Sequence, residues 1–195
     1  LLSIVELQSQ SHHNSNYHHM KKFITSILAS VSLIAPNAAL AENTHQDHIN
    51  LFNTLKEVGV TMLINPKIHC NDEVVDGFYQ TDVALLVICQ DNSSSGGPQV
   101  DWTANDLDTL RHEAHHVVQD CALGSISDGR LQRLFDDKED FVEFVANSSF
   151  TQERLSNLVD VLIADGLTEE DVLMEVEAYE VAEDISAKTI SDKVR

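Results

Sequence analysis

The chain is expected to fold as an α+β protein, a small β-sheet and one long amphipathic helix followed by a mainly helical C-terminal half. Three observations predict it. The short runs "VTMLIN" and "DVALLVICQ", rich in Val, Ile and Leu, lie close together in the first half of the chain. An apolar pattern at helical spacing fills residues 103–121, and only helical patterns follow it. At 195 residues and 43% hydrophobic, the chain suits one globular domain with a real core.

The first element expected is not part of that domain. Met20-Lys21-Lys22, an apolar run from Phe23 to Pro36 and the small-residue ending Ala38-Ala39-Leu40-Ala41 follow the layout of a secretory signal peptide. The run is too short for a comfortable bilayer span, which needs about 20 apolar residues. Residues 20–41 therefore read as a signal cleaved after Ala41, and residues 1–19 as an over-extended gene start that carries off His12, His13, His18 and His19. The mature domain is 42–195, exported to the periplasm or beyond, with no stable membrane anchor once the signal is removed.

Within it, Ile49, Leu51, Phe52 and Leu55 recur at helical spacing between Asp47 and Val58, and Gly59 is a natural stop. The two apolar runs read as strands, with "GFYQ" as a further one. Residues 91–99, "DNSSSGGPQ", concentrate turn formers and read as an exposed loop. Leu107, Leu110, Ala114, Val117, Val118 and Cys121 then place an amphipathic helix over 103–121, with Thr103 or Asp101 near its cap. Further helices fit Lys138–Ala146, Gln152–Ala164 and Glu169 to about Ala187, the last opened by a capping box from Thr168 to Asp171.

Charge narrows the partners. Lys and Arg number 12 against 32 Asp and Glu, a formal charge of -20 that repels nucleic-acid phosphates and anionic membrane surfaces. Export makes disulfides durable. The three cysteines permit three pairings, of which Cys70 with Cys89 is the expected one, tying a loop to the end of a strand and leaving Cys121 free or paired in trans.

The chemistry concentrates in "TLRHEAHHVVQDC", residues 109–121. On a helix, His112 and His116 stack one turn apart, almost opposite the helix's own apolar stripe, so both imidazoles can reach one tetrahedral ion. Zinc takes imidazole nitrogen, and Glu113 in an H-E-x-x-H helix takes the proton of a water at the metal. His115 points about a quarter turn away and reads as a surface histidine. Asp120 is placed to orient a ligand imidazole.

A catalytic zinc site needs a third protein ligand, and no histidine follows His116. The candidates are carboxylates of "LMEVEAYEVAED", residues 173–184. Met174, Ala178, Val181 and Ile185 define the apolar stripe there. Glu175 and Glu177 flank it on opposite sides, and helical geometry does not choose between them; Glu180 points further out.

These residues resemble the gluzincin clan of zinc metallopeptidases, in which His-Glu-x-x-His on one helix is completed by a glutamate on a later one. "Glu175-Val-Glu-Ala178-Tyr179-Glu-Val181-Ala182" is similar to the clan's second motif, and the resemblance makes Glu175 the third ligand. Tyr179 stands where the clan usually has an acidic or amide residue, and Val181 where Phe is common. The resemblance implies that "DVALLVIC" is a strand beside the cleft able to pair with an extended peptide. It also makes Tyr179 or Tyr79 a candidate to stabilise a transition-state oxyanion.

The expected function is an exported Zn2+-dependent peptidase acting on a peptide or protein substrate, with Glu113 as its catalytic base. The alternative is a zincin-like domain that binds metal or a partner protein without turnover.

Overall fold

The computed structural model describes residues 45–70, 75–91, 102–135 and 137–195. The signal peptide, the residues before it and nearly all of the 91–99 loop lie outside the described residues. The described chain is α+β, six helices and a three-stranded sheet, divided into two compact units. One contains residues up to Leu134 together with Glu177–Arg195; the other is Phe135–Val176.

The first unit opens with α1, His45–Glu57, which buries Leu51 and Leu55 and ends at Gly59, whose φ of 102° suits a residue without Cβ. The strands are β1, Thr61–Ile64, β2, Gly77–Gln80, and β3, Leu85–Ile88. They lie in the order β1-β3-β2. β1 runs parallel to β3 with Thr61 opposite Leu85, and β2 runs antiparallel to it with Gly77 opposite Ile88. β3 is the most apolar strand and takes the centre, where Leu86, Val87 and Ile88 have no exposed surface.

That order corrects one expectation. "DVALLVIC" has a strand on each side, so its backbone has no edge to offer a peptide; among the described residues the outer strands are β1 and β2.

At one end of the sheet, Asn65 occupies the left-handed region at φ 52° and exchanges two buried hydrogen bonds with Gln90. Cys70 and Cys89 form a disulfide at the same end, with Cα atoms 5.4 Å apart, as expected from their spacing.

The motif lies on α2, Ala104–Cys121. Thr103 is its N-cap and forms a full capping box with Asp106, which resolves the choice between Thr103 and Asp101. The helix packs on β2, β3 and the C-terminal helix, and is buried around most of its circumference, polar residues included. Arg111 sits inside this packing. Its Nε donates to the Ala182 carbonyl at 2.7 Å, Nη1 donates to His48 Nε2 at 2.6 Å, and Nη2 pairs with Asp108.

In the second unit, α3, Lys138–Ala146, and α4, Gln152–Ala164, match their expected bounds and are capped by Asp137 and Thr151. With the first turns of α5, Glu169–Asp184, they enclose a core that includes Phe141, Val145, Leu155, Val159, Val172 and Val176. The Thr168–Asp171 capping box forms as expected.

The final expected helix is two. α5 stops at Asp184, and Ser186 accepts from the Thr189 amide to start α6, Ala187–Val194. α6 packs on α1, where Thr54 and Ser191 hydroxyls meet at 2.8 Å in a buried contact. The local signal for the break is the serine itself, which competes with the helix interior for backbone donors.

Candidate metal centre

The capping box fixes the start of α2, and the one-turn spacing then brings His112 and His116 together. Their Nε2 atoms are 3.2 Å apart and their rings meet edge to face with centroids 4.8 Å apart. The ligating atoms of His112, Glu113 and His116 all lie within 4.8 Å of one another. Two nitrogens bound to one tetrahedral zinc at about 2.05 Å each would be separated by about 3.3 Å. The observed spacing fits such an ion.

The hydrogen bonds around His116 fit it too. His116 Nδ1 meets Gln119 Oε1 at 2.8 Å, and Gln119 Nε2 donates to Glu177 Oε1 at 3.2 Å. A carboxylate only accepts, so the Gln119 amide nitrogen must face Glu177 and its oxygen must face His116. His116 therefore donates from Nδ1, and in the neutral ring Nε2 keeps its lone pair for a cation.

His115 is not a surface histidine. It is 1% exposed and its Nε2 donates to Glu177 Oε1 at 2.8 Å. Burial lowers its pKa, and the nearby His116 and His112 add to this while Glu177 opposes it. The side of α2 expected to face solvent is packed: His116 is buried and His112 is partly exposed.

Glu177 is likewise committed away from a ligand role. Its two oxygens accept from His115, from Gln119 and from the Leu134 amide, at 3.1 and 3.2 Å for the latter. Burial alone would push its carboxyl up, but the His115 hydrogen bond and charge, with those from Leu134 and Gln119, hold it below the ordinary range. Glu180, expected to point outward, has no exposed surface. α5 is packed on several sides, so its sequence carries no single apolar stripe from which an outward face could be read. Glu175 is half-buried and belongs to the second unit, whereas the histidines belong to the first.

Tyr179 is brought to the site, its ring centroid 4.4 Å from that of His112, on the exposed side. Tyr79 is not available as an oxyanion donor. Its hydroxyl donates to Asp120 Oδ2 at 2.6 Å, and burial followed by the Asp120 hydrogen bond pushes its pKa far up. Asp120 also accepts from the Ser127 amide at 3.1 Å, so it ties β2 and the following loop to α2; the contact that orients His116 comes from Gln119 instead. Cys121 is a free thiol whose pKa is raised by burial and then by the Asp120 charge.

Gln119, which contacts both His116 and Glu177, is not among the candidate residues expected from the sequence. The signal was present: it follows His116 by three residues and His115 by four, so helical spacing places it beside both.

Beta strand β2 closes the site's other flank. A Cβ added at Gly77 would lie 2.7 Å from Thr109 Cγ2, 2.8 Å from the Val87 oxygen and 3.5 Å from Glu113 Cγ. Only glycine lets the strand come this near the helix.

The chain matches no family model, and no solved structure matches it. It is similar to a phosphoenolpyruvate carboxykinase [GTP] from Chlamydia muridarum (strain MoPn / Nigg), 28% identical over 109 residues. The match takes in 54% of this chain and 17% of that protein, so the chain spans about a sixth of the relative's length.

Proposed function

We propose that the protein is an exported metallohydrolase that cleaves peptide bonds, with Zn2+ held by His112 and His116 and with Glu113 as general base. The observation that carries the reading is the 3.2 Å approach of two imidazole nitrogens with a carboxylate in the same cluster. The all-nitrogen-and-oxygen donor set suits zinc, which would supply Lewis acidity toward a carbonyl oxygen and lower the pKa of a water.

Glu113 would take the proton of the attacking water and return it to the leaving amine. Buried at 6% exposure beside two imidazoles, it works in a medium where its charge is only weakly screened. β2, an outer strand of the described sheet whose Gly77 lies against Glu113, is the backbone suited to align an extended peptide. The Cys70–Cys89 disulfide fits an oxidising compartment, and among the described residues no helix is long and apolar enough to cross a membrane.

A second reading draws on the same cluster. The Glu113 carboxylate is near enough to both rings to be a metal ligand itself, which describes a binding domain without turnover. Glu113→Gln separates the two. Under the peptidase reading the variant keeps about one zinc per chain and loses hydrolysis of an unstructured protein substrate. Loss of zinc together with an inert wild type would favour the binding domain, and a metal-free wild type would remove both.

A further inference from the structure

We propose that Gln119, anchored by Glu177, is a positioning residue that fixes His116 in the tautomer with its proton on Nδ1 and so presents the Nε2 lone pair to the metal. The inference rests on the metal-binding reading above and adds to it the residues that prepare the ligand.

The anchor is built from three directions. Glu177 receives His115 Nε2 at 2.8 Å, Gln119 Nε2 at 3.2 Å and the Leu134 amide at 3.1 Å. Gln119 and Glu177 have no exposed surface and His115 is 1% exposed, so water does not compete for these bonds. Every donor is of fixed type: a backbone amide, an amide NH2 and a ring N–H facing an acceptor-only group. Gln119 therefore cannot turn its amide over without setting its oxygen against the carboxylate and its NH2 against His116. His116 Nδ1 at 2.8 Å from Gln119 Oε1 is left with one role, that of donor.

The alternative for this cluster is packing alone: a buried polar group satisfied for the sake of the fold. The two differ in what happens at His116 when Gln119 is changed. Packing predicts a change in stability and no change in where the His116 proton sits. Positioning predicts that the proton redistributes between the two nitrogens and that metal binding weakens, since loss of such an orienting partner typically costs about 10- to 100-fold in affinity.

The experiment uses 15N-labelled full-length protein. Long-range 1H–15N correlation spectra of the metal-free form assign the His116 tautomer, and competition against a chromophoric chelator gives the Zn2+ affinity. Wild type is expected to show the Nδ1-protonated ring. Gln119→Leu is expected to show a mixture of tautomers and about 10- to 100-fold weaker zinc binding. Gln119→Met keeps an unbranched side chain of similar length and removes the acceptor facing His116. It is expected to give the same mixture of tautomers and the same loss of affinity, and it stands as the test if the leucine variant does not fold. An Nε2-protonated His116 in the metal-free wild type, or unchanged tautomer and affinity in Gln119→Leu, overturns the inference. Failure of wild type to bind zinc instead overturns the metal reading, and is recognised independently of the tautomer.

Discussion

Tyr79 donates its hydroxyl proton to Asp120 Oδ2 at 2.6 Å, joining the third residue of β2 to the last turn of α2. Removing the hydroxyl in Tyr79→Phe leaves a buried carboxylate oxygen with the Ser127 amide as its remaining donor from these two contacts. A hydrogen bond to a charged group contributes about 1.5–3 kcal/mol, so chemical denaturation should register a loss of that order. Zinc content should be unchanged.

The same contact has a pH signature. The Tyr79 pKa is raised in the folded protein above its ordinary 10.0, so the folded state holds this proton more tightly than the unfolded state. Its stabilising contribution is fully present below pH 10 and is lost as pH rises above that value. Wild-type stability should therefore fall with a steeper slope above pH 10 than that of Tyr79→Phe; parallel slopes would contradict the assignment.

Gly77→Ala would force a methyl against Thr109 Cγ2 and the Val87 oxygen, both nearer than 3 Å. Backbone oxygen cannot swing aside, so the strand or the helix must move. Overpacking of this kind costs about 1–3 kcal/mol. Because Glu113 lies at the same contact, the variant should also lose the hydrolytic activity proposed above when assayed at a temperature where it is fully folded.

Arg111 connects α1, α2 and α5 through His48, Asp108 and Ala182 from a position 6% exposed. Arg111→Ala removes the donors and leaves the buried Ala182 carbonyl and His48 nitrogen unmatched, which is expected to cost about 1–3 kcal/mol for each by denaturant unfolding, with little added by the exposed Asp108. Arg111→Lys should recover only part of this, since an ammonium cannot span the three partners of a planar guanidinium.

The Cys70–Cys89 disulfide closes a loop of sequence separation 19. Loop-closure entropy for that length is about 3 kcal/mol, so paired Cys→Ser substitution, or reduction, should lower unfolding free energy by that order. The sheet end that carries the Asn65–Gln90 hydrogen bonds should gain hydrogen exchange first.

Zinc should raise the thermal midpoint of the wild type and leave that of His116→Ala unmoved, because a ligand that binds the native state alone stabilises it by mass action. Equal shifts in both proteins would place the metal elsewhere.

The sequence alone determined what is written in local chemistry. The 3.6-residue period placed α2, α3 and α4 to within a residue of their bounds, and capping chemistry marked Thr103 and Thr168. Backbone spacing alone put His112 one turn from His116, and the cysteine positions favoured, among three pairings, the Cys70–Cys89 bond that forms. What lay beyond reach was which polar residue faces which, because that depends on segments far apart in the chain closing around a helix from several sides at once. His115, read as a surface histidine, and Glu177, read as a candidate metal ligand, lie 62 residues apart and became each other's partner when both were buried. Asp120 was drawn to Tyr79 rather than to an imidazole, and "DVALLVIC" was flanked by a strand on each side, for the same reason. A buried polar group must find a partner wherever the packing supplies one, and only the tertiary structure decides where that is.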